Sequence, residues 1–250
     1  MNGFALKIIA LITMIIDHMG VVFPETFGFE FRVIGRIAFP IYVFLIAQGF
    51  RHTKNPIKFL ARLFAFAIIS EPVFDWALRG ANSLGDVNFF ANTNIFYTLF
   101  LGGAAITAYK KIREKLHWVV AALPVLVFAW LAEYIFTSDY GAYGVIFIFV
   151  MYLLPFDNFP LYKGIDSYKR FAIISMALLC LWQHEWVFTD ALFYGIADVP
   201  PIAWMLIPVT LISVLLVAFY NGKRGPNFKW LFYWSYPVHL VVLAVLFNLY

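Results

Sequence analysis

Apolar residues run along this chain in blocks of about twenty, cut by short clusters of Lys, Arg, Pro, Gly and Asn. Blocks of that length suit bilayer-crossing helices, because about twenty residues rising 1.5 Å each cover a hydrocarbon layer of roughly 30 Å. Nine spans are predicted, at 5–23, 33–50, 59–78, 94–109, 118–137, 141–155, 171–187, 202–220 and 230–249. The sixth and seventh are short for a full crossing, so tilted or re-entrant arrangements fit them equally. No tandem repeat, low-complexity tract or inverted duplication interrupts the series. The pattern therefore predicts an all-α fold, a polytopic membrane helical bundle of about nine transmembrane spans forming one domain over 1–250.

Composition agrees with lipid as the solvent. Of 250 residues, 63% are hydrophobic and 13% charged, against about 45–50% and 25% in soluble domains. The single cysteine, Cys180, lies in an apolar run and excludes an intramolecular disulfide or a cysteine-based metal cluster. The first block lacks a basic leader and a small-residue cleavage site, so it is expected to remain as a helix. A net charge of +4 would suit nucleic acid in a soluble protein, but in a membrane protein the placement of the cations says more than their sum. The expected partner is the bilayer, with no nucleic acid.

Those cations collect in alternate loops. Arg51, Lys54, Lys58 and Arg62 follow span two; Lys110, Lys111, Arg113 and Lys115 follow span four; Lys163, Lys169 and Arg170 follow span six; Lys223, Arg224 and Lys229 follow span eight. The intervening loops hold only Arg32 and Arg79 among the acids Glu25, Glu30, Asp86, Asp139, Glu185, Asp190 and Asp198. Cytoplasmic loops are the basic ones, which predicts a plasma (inner) membrane protein with its amino terminus inside and its carboxyl terminus outside.

The remaining ionisable residues fall in or at the ends of spans: Lys7, Asp17, Arg36, Glu71, Asp75 and Glu133, with His18, His184 and His239. An acid near the centre of a lipid-facing helix costs roughly 2.5–3.5 kcal/mol on insertion scales, so such groups normally face protein or water and mark candidate sites. On the predicted orientation Asp17 and His18, Arg36, and Glu71 with Asp75 lie toward the outer ends of spans one, two and three. Glu71 and Asp75 are four apart and share a helix face, whereas the adjacent Asp17 and His18 do not. Soluble-enzyme signatures are missing, with no phosphate loop, dinucleotide fingerprint, GxSxG elbow or HExxH. His52 and His117 lie in or beside basic loops, which argues against paired membrane haems, and no metal site is expected.

Six stretches, LITMIIDHMG (11–20), FRVIGRIAFPIYVFLIAQGF (31–50), SEPVFD (70–75), DYGAYGV (139–145), YNGKRG (220–225) and FYWSYPVHL (232–240), together resemble the TraX family of integral membrane proteins, named for conjugal pilin acetylation. More distantly the chain is similar to the membrane acyltransferases that carry a histidine in span one. The resemblance implies an acetyltransferase using acetyl-CoA, with the acceptor a pilin amino terminus in the family's named member or another amine or hydroxyl compound.

The residues offer that chemistry its parts. Acyl transfer needs a base for the nucleophile's proton, donors for the developing oxyanion and a grip on the coenzyme's phosphates. His18, with an ordinary pKa near 6.5, is the candidate base or, alternatively, the carrier of the acetyl group. Asp17, Glu71 or Asp75 are candidates to orient it, and Arg36 to stabilise the oxyanion. Coenzyme phosphates suit Arg51, Lys54, Lys223 and Arg224; Tyr236 and His239 are candidates to line the coenzyme's path. Each has a plainer rival: acid pairs with Arg36 tie helices together, basic loops set orientation, and an aromatic last span packs. The rival function is a proton-coupled transporter in which Asp17, His18, Glu71 and Asp75 form a relay; a third is a non-enzymatic assembly factor.

Overall fold

The computed structural model describes residues 1–80, 86–154 and 167–249, so Lys163 lies outside the described residues. Among them the regular elements are helices: α1 (Gly3–Val22), α2 (Pro24–Gly35), α3 (Ala38–His52), α4 (Pro56–Arg79), α5 (Ile95–Arg113), α6 (Trp118–Trp130) continued by a π-turn at Leu131–Ile135, α7 (Gly141–Leu153), α8 (Ser167–Trp182), α9 (Glu185–Phe193), a 3-10 turn at Ile196–Asp198, α10 (Pro201–Trp204), α11 (Leu206–Ala218) and α12 (Lys229–Leu249). Among the described residues each of the nine predicted blocks falls mostly on helix; position 155, the end of the sixth, lies outside them. Five stretches are long and apolar enough to cross a membrane: α1, α2 with α3, α6 with its π-turn, α10 with α11, and α12. The pair α8 and α9, bent by 57°, makes a sixth. By that standard the structure supports five or six spans and does not confirm nine; charges on α4 and α5 and the 13-residue length of α7 hold those three below it.

Helices α6 and α11 turn several small and polar residues inward and large apolar ones outward. α6 buries Ala121, Val125 and Ala129, one face at i, i+4, i+8, and exposes Leu123, Leu126, Val127 and Trp130. α11 buries Thr210 and Ser213 while exposing Ile212 and Leu215. In water this arrangement would be costly; in lipid it is the expected one, because close helix packing favours small residues and polar groups find partners only inside.

Asparagine starts three of the helices. Asn2, Asn55 and Asn94 stand at the N-caps of α1, α4 and α5, each side chain accepting a backbone N–H of the first turn, which satisfies a donor the helix itself leaves orphaned. α4 ends on Gly80 at φ 73°, a left-handed conformation that favours glycine.

Contacts among the Cα atoms divide the chain into two compact units: Met1–Tyr42, Leu154–Phe232 and Val245–Tyr250 in the first, Val43–Leu153 and Tyr233–Ala244 in the second. In the first unit α1 packs on α2, and Val33, Val187, Val199, Ala203 and Leu206 join α2 to the α9–α11 region in one apolar cluster. In the second, α5 packs against α4, α6 and α7. Gly103 lets Phe50 approach α5 so closely that a Cβ there would fall 2.4 Å from the ring.

Candidate functional site

The sequence-predicted residues fall into two groups, one in each unit. In the first unit Asp17 on α1 faces the end of α2. Its Oδ1 accepts a hydrogen bond from Arg36 Nη2 at 2.5 Å, and Arg32 Nε lies 3.3 Å from the same oxygen. The guanidinium of Arg36 is further fixed by Nε donating to the Arg32 carbonyl at 3.1 Å. This approach is possible because position 35 is glycine: a Cβ there would sit 2.2 Å from Asp17 Cβ. Asp17 and Arg36 thus meet as the sequence suggests, and Arg32, read only as a loop cation, joins them. His18, next in sequence, is buried.

A second imidazole of this unit sits where α8 breaks into α9. His184 is buried, and its Nε2 lies 2.7 Å from Thr210 Oγ1. The threonine hydroxyl already donates to the Leu206 carbonyl, so His184 is the donor and its Nε2 carries the proton. Ser213 and Cys180 extend this polar seam between α8 and α11, with Cys180 Sγ 3.8 Å from Ser213 Oγ. Arg36 lies within electrostatic reach of His184.

In the second unit Glu71 is fully buried on α4 and Asp75 nearly so. Asn94 answers Glu71 twice, through its backbone N–H at 3.1 Å and its Nδ2 at 2.6 Å, both to Oε2. The same Nδ2 donates to the Ala67 carbonyl at 2.8 Å. Glu71 Oε1 has no hydrogen-bond partner among the described residues, nor has the hydroxyl of Tyr97, one turn along α5. Asp75 Oδ2 accepts the backbone N–H of Asn88 at 2.9 Å, while Arg79 Nε stands 4.0 Å from Oδ1. Above Asp75 opens a cavity of ≈ 280 Å³ lined by Asp75, Arg79, Gly80, Asp86, Asn88, Ala91 and Asn92. Loops 88–94 and 136–141 are stitched together beside it by Thr93 N–H donating to the Phe136 carbonyl and Asp139 N–H to the Thr93 carbonyl. Asn92, Thr137 and Tyr140 hold positive φ there, a conformation that costs energy and gathers at functional sites. Glu133, also in this unit, caps α7 by accepting the Ala142 N–H at 2.9 Å.

The residues proposed for the coenzyme divide as well. Arg51, in the second unit, spends its Nη2 on the Tyr152 carbonyl at 2.5 Å and closes the end of α7. Lys54 is exposed. Tyr236 and His239 are buried on α12, their rings 5.6 Å apart, and His239 Nδ1 donates to the Ser235 carbonyl at 2.7 Å, which places the lone pair of the neutral ring on Nε2. Lys223 and Arg224, in the first unit, are exposed on the loop before α12. That loop is tied to the start of α1 by Gly3 N–H donating to the Lys223 carbonyl at 2.8 Å. Sequence reading missed Asn94 and Asn88; the one signal for Asn94 was an asparagine immediately before an apolar run, a helix-start signature.

A family model described as TraX protein matches residues 2–247. The chain belongs to the TraX family. A relative, the probable fimbrial assembly protein FimC, serogroup H1, of Dichelobacter nodosus, is 29% identical over 251 residues, covering 97% of this chain and 94% of that protein. No solved structure matches the chain. The TraX match takes in both buried clusters.

Proposed function

We propose that the protein is a membrane-embedded acetyltransferase that takes an acetyl group from cytoplasmic acetyl-CoA and passes it to an amine or hydroxyl acceptor on the outer face. The observation that carries this reading is a buried histidine in the first helix of a TraX family chain, next in sequence to an aspartate that fixes two guanidinium groups. Base and oxyanion donors are what acyl transfer demands. The name of the Dichelobacter nodosus relative supports a pilin-like acceptor.

The acceptor nitrogen attacks the thioester carbonyl carbon. As the C–N bond forms, charge gathers on the carbonyl oxygen, where Arg36 supplies a donor; the C–S bond then breaks and the leaving sulfur takes up a proton. His18 removes the proton the nitrogen sheds, or else carries the acetyl group between two such steps. Exposed Lys223 and Arg224 offer charge to the coenzyme's phosphates. The basic loops support a bacterial plasma-membrane location with the amino terminus cytoplasmic and the carboxyl terminus outside.

The test incubates purified protein with acetyl-labelled acetyl-CoA, with and without an amine acceptor. Wild type should release free coenzyme and label the acceptor, and His18→Ala should not. Passage of substrate across liposomes without coenzyme release would assign the acids to a proton-coupled transporter.

A further inference from the structure

In the first unit the start of α1 and the segment leading into α12 are clasped together. Asn221 N–H donates to the Met1 carbonyl at 2.8 Å, and Gly3 N–H to the Lys223 carbonyl at 2.8 Å. The Asn221 side chain turns back to accept the Lys223 N–H at 3.0 Å. Gly222 and Gly225 hold φ 76° and 74°, a left-handed conformation that favours glycine, and a Cβ on Gly225 would fall 2.8 Å from Phe4 Cβ. A basic loop needs none of this order to orient a membrane protein, since that rule counts charges and not their geometry.

What the clasp gathers is positive charge. Its charged side chains are Lys7 on α1, Lys223, Arg224 and Lys229, and neither 1–16 nor 219–232 contains an acid. Among the described residues none of the four pairs with a carboxylate. Arg224 lies within electrostatic reach of Lys7, and its guanidinium is aimed by Nη2 donating to Asn227 Oδ1 at 2.8 Å. Like charges held together repel, and an anion placed between them relieves the repulsion. Aromatic rings lie against the same cations. Lys7 Nζ stands 5.3 Å from the centroid of the Phe232 ring, and Phe4 touches both Phe232 and Phe228, each centroid 5.8 Å away. Phe228 is braced in this way and still 56% exposed. A fixed, open ring beside a cluster of cations is a platform on which a base can stack while its phosphates are neutralised.

We infer that this surface seats a nucleotide carrying several phosphates, with Lys7, Lys223 and Arg224 holding the phosphates and the base stacked on Phe228. The inference deepens the acetyltransferase reading and rests on it for the ligand's identity: the nucleotide is the adenosine end of the coenzyme. Lys7 and Phe228 thereby join Lys223 and Arg224 in binding it. His18 lies eleven residues farther along α1, about 16 Å of helix, which the pantetheine arm has to cover to bring the thioester to the imidazole.

The test measures binding of adenosine 3′,5′-bisphosphate to the full-length protein in phosphatidylcholine nanodiscs by calorimetry, with pyrophosphate as the base-free comparison. Wild type should bind the nucleotide more tightly than pyrophosphate. Lys7→Gln should weaken binding of both about tenfold, through the loss of a charge-assisted contact. Phe228→Ala should weaken nucleotide binding roughly fivefold or more and leave pyrophosphate unchanged, while the melting midpoint shows that each variant is folded. No nucleotide binding by wild type, equal affinity for both probes, or unchanged affinity in both folded variants would overturn the proposal. So would a melting midpoint raised by phosphatidylglycerol, and not in Lys7→Gln, with no nucleotide bound, which would assign the cations to lipid headgroups. Should the nucleotide bind as expected while no label passes from acetyl-CoA, the site stands and the acetyltransferase reading fails. Transfer at the wild-type rate with unchanged KM for acetyl-CoA in both folded variants would leave that reading and remove the site.

Discussion

Asp17 in the first unit and Glu71 in the second are both acids inside apolar helices, and the protein answers them in opposite ways. Asp17 meets two guanidinium groups on one oxygen, 2.5 and 3.3 Å away. Among the described residues Glu71 meets the amides of Asn94, and its second oxygen has no hydrogen-bond donor. An ion pair with excellent geometry is a fastening whose removal strands a charge. A carboxyl group held by amides on one oxygen keeps the other oxygen open to a partner. The first arrangement fixes α2 against α1; the second leaves one carboxyl oxygen without a donor among the described residues.

Substitutions can break this contrast or sharpen it. The largest effect is expected at position 35. Gly35→Val places a branched side chain where even a Cβ would overlap Asp17, so the folded yield by size-exclusion chromatography should collapse. His18→Ala should lower acetyl transfer by about 10²- to 10⁴-fold, the usual contribution of a positioned base, with little change in melting temperature. Asp17→Ala takes from Arg36 and Arg32 the carboxylate oxygen they share and should destabilise the protein by about 3 kcal/mol, read from denaturant unfolding in detergent. Asn94→Ala removes the Nδ2 bonds to Glu71 and Ala67 and should cost about 1–3 kcal/mol. Were Asn94→Ala to prove harmless and Glu71→Gln strongly destabilising, Glu71 would be a fastening like Asp17 and the contrast would fail. The smallest effect concerns Arg51. Arg51→Ala should lose about 1 kcal/mol of stability with the end of α7 uncapped, and affinity for acetyl-CoA should stay unchanged. The double change Lys223→Ala with Arg224→Ala should weaken coenzyme binding and reduce its salt dependence.

Much of the helical layout is written in the apolar blocks, because a bilayer imposes one length and one polarity on whatever crosses it. The α2 helix is not: PETFGFEFR carries Glu25, Glu30 and Arg32 and reads as a loop, yet it folds as a helix interrupted at Gly28, with φ 61°, because α1 offers it a face to pack on. The π-turn at Leu131–Ile135 and the 57° bend at Gln183–His184 are likewise invisible to hydropathy, which registers polarity and not hydrogen-bond register. The acids were legible because charge within an apolar block is conspicuous. Their partners were not, since Asn94 acts on Glu71 from 23 residues away and an asparagine before a helix is ordinary. Arg51 shows a contact that a basic loop does not announce. Its place in a basic loop suggests phosphate binding, and only the structure shows its guanidinium on the Tyr152 carbonyl.

Transfer itself is the decisive quantity. With the protein in nanodiscs, labelled acetyl-CoA and an amine-bearing acceptor, the label bound to the acceptor is counted over time for wild type and His18→Ala. The account predicts steady labelling by wild type and at least a hundredfold less by the folded variant. Labelling no faster than in protein-free nanodiscs, or undiminished in the variant, would contradict it.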